Sequence, residues 1–472
     1  MRVNDDRSQS FDNEIDKSFQ FRKDTIAAIA TPAGRGGIGI IRLSGPHTQA
    51  IVIDLIGYLP KPRYAKYVRF LEADKTLIDE GLVLYFPTPH SFTGEDVAEL
   101  QGHGGPVILD CLLQRALQLG ARLARPGEFS ERAFLNGKLD LIQAEAISDL
   151  IDAESKQAAQ AAVRSLQGEF SKQIYEMVET LIALRMYLEA SIDFSDETID
   201  FLKDTEVEKK LNLILCKLRA IQKTARQGAL LREGMHIAIV GPPNAGKSSL
   251  LNKLTGQNSA IVTPIAGTTR DVIREKILIE GLPLHIVDTA GLRSTEDEIE
   301  YQGIKRSLAE IEKADRILYV VDSMSVPIND LDSLRQLDFF SELSREKLSV
   351  IRNKIDITGE NSYLSQEFDF DVISLSVKTG EGFSLLYDYL KKSVSYDAGL
   401  QSNFSARLRH LSALKKAESA ILDGLNKLTN GEFPELLAED LSIAQNRLSE
   451  ITGQFTTDDL LGRIFCNFCI GK

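Results

Sequence analysis

Cysteine, long apolar runs and excess positive charge are scarce in this 472-residue sequence, and each shortage closes off a class of protein. Four cysteines, Cys111, Cys216, Cys466 and Cys469, are too few for a disulfide framework, so reduced thiols and a cytoplasmic address are expected. No apolar stretch approaches the roughly 18 residues that span a bilayer, so no membrane association is expected. Residues 1–23 are polar and mixed in charge, without the apolar stretch of a secretory signal, and read as a flexible extension that implies no export. A net charge of −13 argues against holding nucleic acid through a global positive field, so any such contact is local or borrowed from a partner. Internal repeats and low-complexity tracts are absent from the sequence.

The length exceeds what one hydrophobic core usually serves, and the chain reads as several domains. Proline is missing between Gly127 and Gly241, and apolar residues there recur at helical spacing, as in Leu139, Ile142, Ala146, Leu150 and Ala153. The same spacing returns from Phe404 to Leu461. Between these helical blocks, β-rich runs (His236 to Val240, Leu284 to Val287, Ile317 to Val321, Leu348 to Ile351, Val372 to Leu375) alternate with helical patterns, the signature of a parallel sheet. Strand-like runs at Ile26 to Ala30, Ile38 to Leu43 and Leu82 to Phe86, with a helix from Pro106 to Leu119, make the first part α+β. The expected architecture is an α+β domain over 24–137, an all-α helical bundle formed by 138–232 plus 396–472, and an α/β P-loop domain over 233–395 inserted within the bundle.

Gly241-Pro-Pro-Asn-Ala-Gly-Lys-Ser248 fits G-x-x-x-x-G-K-[ST] and lies between an apolar strand and a helix. Asn244, Ala245, Gly246, Lys247, Ser248 and Ser249 are therefore phosphate-binding candidates: backbone N–H groups wrap the phosphates, Lys247 reaches the β and γ oxygens, and the Ser248 hydroxyl ligates Mg²⁺. Asp288, Thr289, Ala290 and Gly291 follow a strand as a switch II motif would. Asn353, Lys354, Ile355 and Asp356 follow another strand, and the Asp356 carboxylate can accept from the guanine N1–H and 2-amino group, which adenine cannot supply. Ser376, Val377 and Lys378 resemble the loop that packs against the guanine. Four motifs in this order identify a GTP- and GDP-binding domain.

Other patterns are weaker. Gly34-Arg-Gly-Gly-Ile-Gly39 satisfies a dinucleotide fingerprint, but the residues after it read as strand and turn, whereas a pyrophosphate needs a helix N-terminus. Cys466-Asn-Phe-Cys469 lacks the second pair of a zinc site and reads as two cysteines on a helix face. Arg407, Arg409, Lys415 and Lys416 fit a solvated helix face better than an RNA contact.

With these residues in view, the chain resembles the MnmE (TrmE) family of tRNA-modifying GTPases. The resemblance rests also on Thr31-Pro-Ala-Gly-Arg-Gly-Gly37, Phe92-Thr-Gly-Glu-Asp96, Leu100-Gln-Gly-His-Gly-Gly105, Arg125-Pro-Gly-Glu-Phe-Ser130, Gly267-Thr-Thr-Arg-Asp271 and the terminal Cys469-Ile-Gly-Lys472. It implies a folate-binding N-terminal domain that makes a homodimer, and a GTPase that adds a carboxymethylaminomethyl or aminomethyl group to C5 of the wobble uridine of certain tRNAs. The one-carbon unit is implied to come from a tetrahydrofolate derivative, 5-formyl- or 5,10-methylene-tetrahydrofolate, held by Arg42, Glu99, Lys138 and Lys472. FAD belongs to the partner MnmG, with which the family forms a heterotetramer and through which tRNA is largely engaged. By the same resemblance, Thr263, Pro264, Ile265, Ala266, Gly267 and Thr268 contact GTP, Thr269 joins Ser248 on Mg²⁺, and Asn244, Thr263, Ile265 and Thr268 ligate K⁺. Glu300, with Arg293 as helper, is implied for hydrolysis, because Leu292 cannot orient water as a Ras-type Gln does. Cys469 is implied at the folate pocket, as a nucleophile or as packing. The alternative function is a non-catalytic G-protein switch acting as an assembly factor, which gives no reason for the N-terminal motifs or the terminal Cys-Ile-Gly-Lys.

Overall fold

The computed structural model describes residues 24–193, 205–257, 274–288, 313–326, 347–366, 370–394, 396, 404–430, 434–454, 464, 468 and 471. The chain divides into two compact units, one within 1–148 and 448–472, the other within 149–447.

The first unit is built on β1 (Thr25–Ile29), β2 (Gly36–Ser44), α1 (Thr48–Ile56), β3 (Lys66–Leu71), β4 (Leu77–Phe86), β5 (Val97–Gly104), α2 (Pro106–Gln118), β6 (Ala121–Leu123), α3 (Glu128–Leu135) and α4 (Leu141–Ile151), whose last residues, from Asp149, belong to the second unit. Its six-stranded sheet runs β3-β4-β5-β2-β1-β6, antiparallel except for the β1–β6 pair. Period-two alternation sends Ile41 and Leu43 of β2 into a core with Ile51 and Leu55 of α1 and Leu109 and Leu112 of α2. Each such side chain, fully buried, stabilises by roughly 2 kcal/mol. Arg42 alternates to the opposite face. Gly36 to Gly39 lie in strand β2, with no helix behind them, so the dinucleotide reading lapses for the reason the sequence suggested. Helix α4 begins at Leu141 because Asp140 and Gln143 form a reciprocal capping box: Asp140 Oδ1 accepts from the Gln143 N–H at 2.9 Å, and Gln143 Oε1 from the Asp140 N–H at 3.0 Å. Leu139 therefore stays outside the helix, while Leu141 and Ala144 pack with Ile464 and Phe468.

The second unit continues with α5 (Lys156–Leu166), α6 (Glu169–Asp193), α7 (Thr205–Glu233), β7 (Met235–Val240), α8 (Lys247–Gln257), β8 (Arg274–Ile279), β9 (Leu282–Asp288), β10 (Arg316–Asp322), β11 (Leu348–Asn353), α9 (Ile355–Thr358), β12 (Tyr363–Ser365), β13 (Asp371–Ser374), α10 (Phe383–Ser393), α11 (Leu408–Thr429) and α12 (Pro434–Thr452). Ser155 Oγ accepts from the Ala158 N–H at 3.0 Å and caps α5, a contact worth about 1 kcal/mol. The seven-stranded sheet runs β12-β13-β11-β10-β7-β9-β8, parallel from β13 to β9 with an antiparallel strand at each edge. Its chain leaves the helices after α7 and returns before α11, so the α/β part is inserted among helices, as expected. Around the return, Phe170 stacks on Phe404 at 4.2 Å and meets His410 edge-on at 5.3 Å. No helix among the described residues is long and apolar enough to cross a membrane.

Candidate functional site

The nucleotide motifs gather at the C-terminal ends of the parallel strands, where open α/β sheets bind ligands. Strand β7 ends at Val240 and the chain turns sharply into α8. Gly241 has φ +142°, and a Cβ on it would lie 2.2 Å from the Val320 carbonyl oxygen of neighbouring β10. Gly246 has φ +99°, and a Cβ there would meet Asn353 Nδ2 at 2.2 Å. No other residue fits either position, so the phosphate loop can sit close against the strands only with these glycines. Lys247 Nζ donates to the Gly241 and Pro242 carbonyls at 2.8 and 2.9 Å, holding the ammonium at the loop. Asn244, with φ +61°, carries an exposed amide. The Ser248 hydroxyl and the Asn244 carbonyl are hard oxygen donors, suited to Mg²⁺ and K⁺ respectively.

Asn353 ends β11 and joins three motifs. Its Nδ2 donates to the Ala245 carbonyl in the phosphate loop at 2.9 Å, while its Oδ1 accepts from the N–H groups of Lys354 at 2.8 Å and Val377 at 3.1 Å. Lys354 then takes φ +69°, which starts the short helix α9 and turns Asp356 towards Ser376. The Ser376 hydroxyl donates to Asp356 Oδ1 at 2.6 Å and accepts from the Thr379 N–H at 3.2 Å. These contacts leave the second carboxylate oxygen available to a ligand's N–H groups. Gly246, Ser249, Asn353, Lys354, Asp356, Val377 and Lys378 share the wall of one cavity of about 610 Å³. Ile355 is buried beneath it.

Two supporting residues escaped sequence reasoning. Asp322 at the end of β10 accepts from Lys354 Nζ at 2.7 Å and from the Met324 N–H at 2.9 Å. Burial favours its neutral form, but those two hydrogen bonds and the lysine charge prevail and lower its pKa. Arg352, fully buried one residue before Asn353, is clamped by Glu360 through both guanidinium ends at 2.6 and 3.1 Å. Neither lies within a recognisable nucleotide motif; an acidic residue ending the strand next to the phosphate-loop strand was the one available signal.

In the first unit, Arg42 and Glu99 face each other in the β2–β5 register. Glu99 Oε1 accepts from Arg42 Nε and Nη2 at 3.1 and 2.9 Å, while Nη1 donates to the Gly471 carbonyl at 3.2 Å. The Phe92 and Phe129 ring centroids each lie 5.8 Å from the guanidinium. The two rings come from Phe92-Thr-Gly-Glu-Asp96 and Arg125-Pro-Gly-Glu-Phe-Ser130, and no site role was foreseen for them. A guanidinium backed by aromatic rings and a neighbouring carboxylate suit a ligand that has both anionic groups and a heteroaromatic edge. Lys138 donates to the Pro89 carbonyl at 3.1 Å, and none of its hydrogen bonds is to Arg42 or Glu99. Glu128, the residue before Phe129, is buried among Arg122, the Arg125 N–H and Arg132.

Strand β9 ends at Asp288. Thr263, Pro264, Ile265, Ala266, Gly267, Thr268, Thr269, Thr289, Ala290, Gly291, Arg293, Glu300, Cys466, Cys469 and Lys472 lie outside the described residues.

A model of the MnmE helical domain matches residues 141–469, and a model of the N-terminus of the GTP-binding protein TrmE matches residues 25–138. The tRNA modification GTPase MnmE of Proteus mirabilis (strain HI4320) is 55% identical over 451 residues, 95% of this chain and 99% of that one. Its namesake in Stutzerimonas stutzeri (strain A1501) is 57% identical over 453 residues, with the same shares covered. Among solved structures, the G domain of the T. maritima FeoB iron transporter is 24% identical over 34% of this chain and 96% of that one, with a TM-score of 0.25, a likeness too slight to argue from.

Proposed function

This chain belongs to the MnmE family of tRNA modification GTPases, and from that premise we propose that it hydrolyses GTP to GDP and phosphate in a cycle that serves the modification of C5 of the wobble uridine in certain tRNAs. The observation that carries the nucleotide part is Asn353, whose amide ties the phosphate loop, the guanine-reading strand end and the Val377 loop around one cavity. In this reading the N–H groups from Asn244 to Ser249 cradle the phosphates and Lys247 offsets their charge. Asp356, steadied by Ser376, reads the guanine. Ser248 and Thr269 would hold Mg²⁺, and Asn244, Thr263, Ile265 and Thr268 would hold K⁺. These ions supply positive charge against the charge that builds on the transferring phosphoryl group. Glu300 orients the attacking water, and Arg293 orders the segment around it.

The first unit takes the tetrahydrofolate derivative. Arg42 binds its anionic end, Glu99 and Lys138 complete the pocket, and Lys472 reaches it from the chain end. The Arg42 contact with the Gly471 carbonyl supports that last placement. Cys469 acts beside the same pocket, as nucleophile or as packing. The homodimer works with the FAD-binding MnmG, which engages the tRNA. The test is mass spectrometry of tRNA nucleosides from a strain lacking this gene, with and without the gene restored. Loss and recovery of the modified wobble uridine is expected; identical nucleosides in both strains would overturn the reading.

A further inference from the structure

We propose that Asp322 is a positioning residue of the nucleotide site: through its ion pair with Lys354 it fixes where that lysine lies along the cavity, and so how long a guanine nucleotide stays bound. The inference rests on the guanine-nucleotide reading above.

Asp322 and Asn353 are register partners at the ends of the parallel strands β10 and β11. Asn353 contributes directly to the cavity wall; Asp322 is absent from that wall and acts through its neighbour. Lys354 has a left-handed backbone, which an L-residue holds only when its surroundings require it. Two contacts do so. The Asn353 Oδ1 accepts the Lys354 N–H at 2.8 Å, and Asp322 Oδ2 accepts from Nζ at 2.7 Å, so both ends of the residue are tied to the strand ends. Lys354, tied in this way, borders the cavity together with Asp356 and Lys378. An apolar stem held flat offers a surface for a purine ring, whereas a loose one must be ordered by the ligand at an entropic cost. At 31% and 22% side-chain exposure the ion pair is shielded enough for its charge to matter.

A purely structural role is separable. The other Asp322 oxygen accepts the Met324 N–H at 2.9 Å and closes the turn after β10. Asp322→Asn keeps an oxygen for that N–H and loses the charge that holds Lys354. The experiment uses the full chain, with GDP binding measured by calorimetry and GDP release by stopped flow, for wild type, Asp322→Asn, Lys354→Met and the double variant. Thermal melting without nucleotide monitors the fold. The expected result is a roughly tenfold weaker GDP affinity in Asp322→Asn, carried mostly by faster release, with an unshifted melt. In the Lys354→Met background the Asp322 substitution should have no further effect. Wild-type affinity in Asp322→Asn, or additive effects in the double variant, would overturn the inference while leaving the guanine site intact. Failure of the wild type to bind GDP would overturn both.

Discussion

Asp356 shows how far a single residue's chemistry reaches. Its Oδ1 is already satisfied by the Ser376 hydroxyl, so recognition of a base depends on the other oxygen and on the negative charge. Replacing it with Asn puts an N–H donor where a guanine 2-amino group needs an acceptor. Asp356→Asn is therefore expected to shift preference from guanine to xanthine nucleotides by at least about tenfold, measured by competition of GDP and XDP for the variant. Unaltered GDP selectivity would remove Asp356 from the base-reading role. Arg42 makes a parallel case in the first unit. Its guanidinium lies against Phe92 and Phe129 and is held by Glu99, a placement that a lysine's compact ammonium would not reproduce. Arg42→Lys is expected to weaken 5-formyltetrahydrofolate binding by about tenfold, and calorimetry that finds wild-type affinity would displace the folate pocket from this sheet face.

Elements are tied down here by buried charge as well as by apolar packing, and helix α3 is the clearest example. Its first residue, Glu128, is only 1% exposed. Burial would raise its carboxyl pKa, but the Arg122 guanidinium, the Arg125 backbone N–H and the charge of Arg132 prevail and pull it from 4.5 down to about 2. A folded-state pKa below the unfolded one stabilises the protein where the group is ionised. That contribution, of order 3 kcal/mol, is present above about pH 4.5 and is lost as the pH falls towards 2. Urea titrations of the wild type and Glu128→Gln across this range should converge at the acid end, and parallel curves would show that another carboxylate governs acid unfolding. The element scale also shows what fixes the start of a helix. Leu139 shares the apolar spacing of α4, but the Asp140–Gln143 box starts the helix after it, and local hydrogen bonding outranks periodicity at a terminus.

At the scale of the molecule, the second unit depends on how its inserted sheet is joined to its helices. Both connections meet one carboxylate. Asp149 accepts from Arg232, at the end of the helix that leads into the sheet, and from Ser405 and Arg407, where the chain returns. Its side chain is 5% exposed, so Asp149→Ala would remove a buried carboxylate that Arg232 and Arg407 share. A loss of about 3 kcal/mol is expected, read as a lower unfolding midpoint for this unit. An unchanged midpoint would show the joint to be held elsewhere. Ion dependence belongs to this scale too: K⁺ is expected to accelerate GTP turnover and G-domain pairing well beyond Na⁺, with the response lost in Asn244→Ala. Equal turnover in the two salts would remove K⁺ from the mechanism. The sequence by itself determined the nucleotide class and the insertion, because phosphate cradling and guanine reading need particular atoms at short spacings along the chain, and because strand and helix periods are local. Only the tertiary structure decided that Asn353 would knit the phosphate loop to the guanine strand, that Asp322 would pair with Lys354, and that two phenylalanines would back Arg42. Each of these joins residues far apart in the chain, and side-chain contact across such separations is set by how strands and helices pack, which no local pattern encodes.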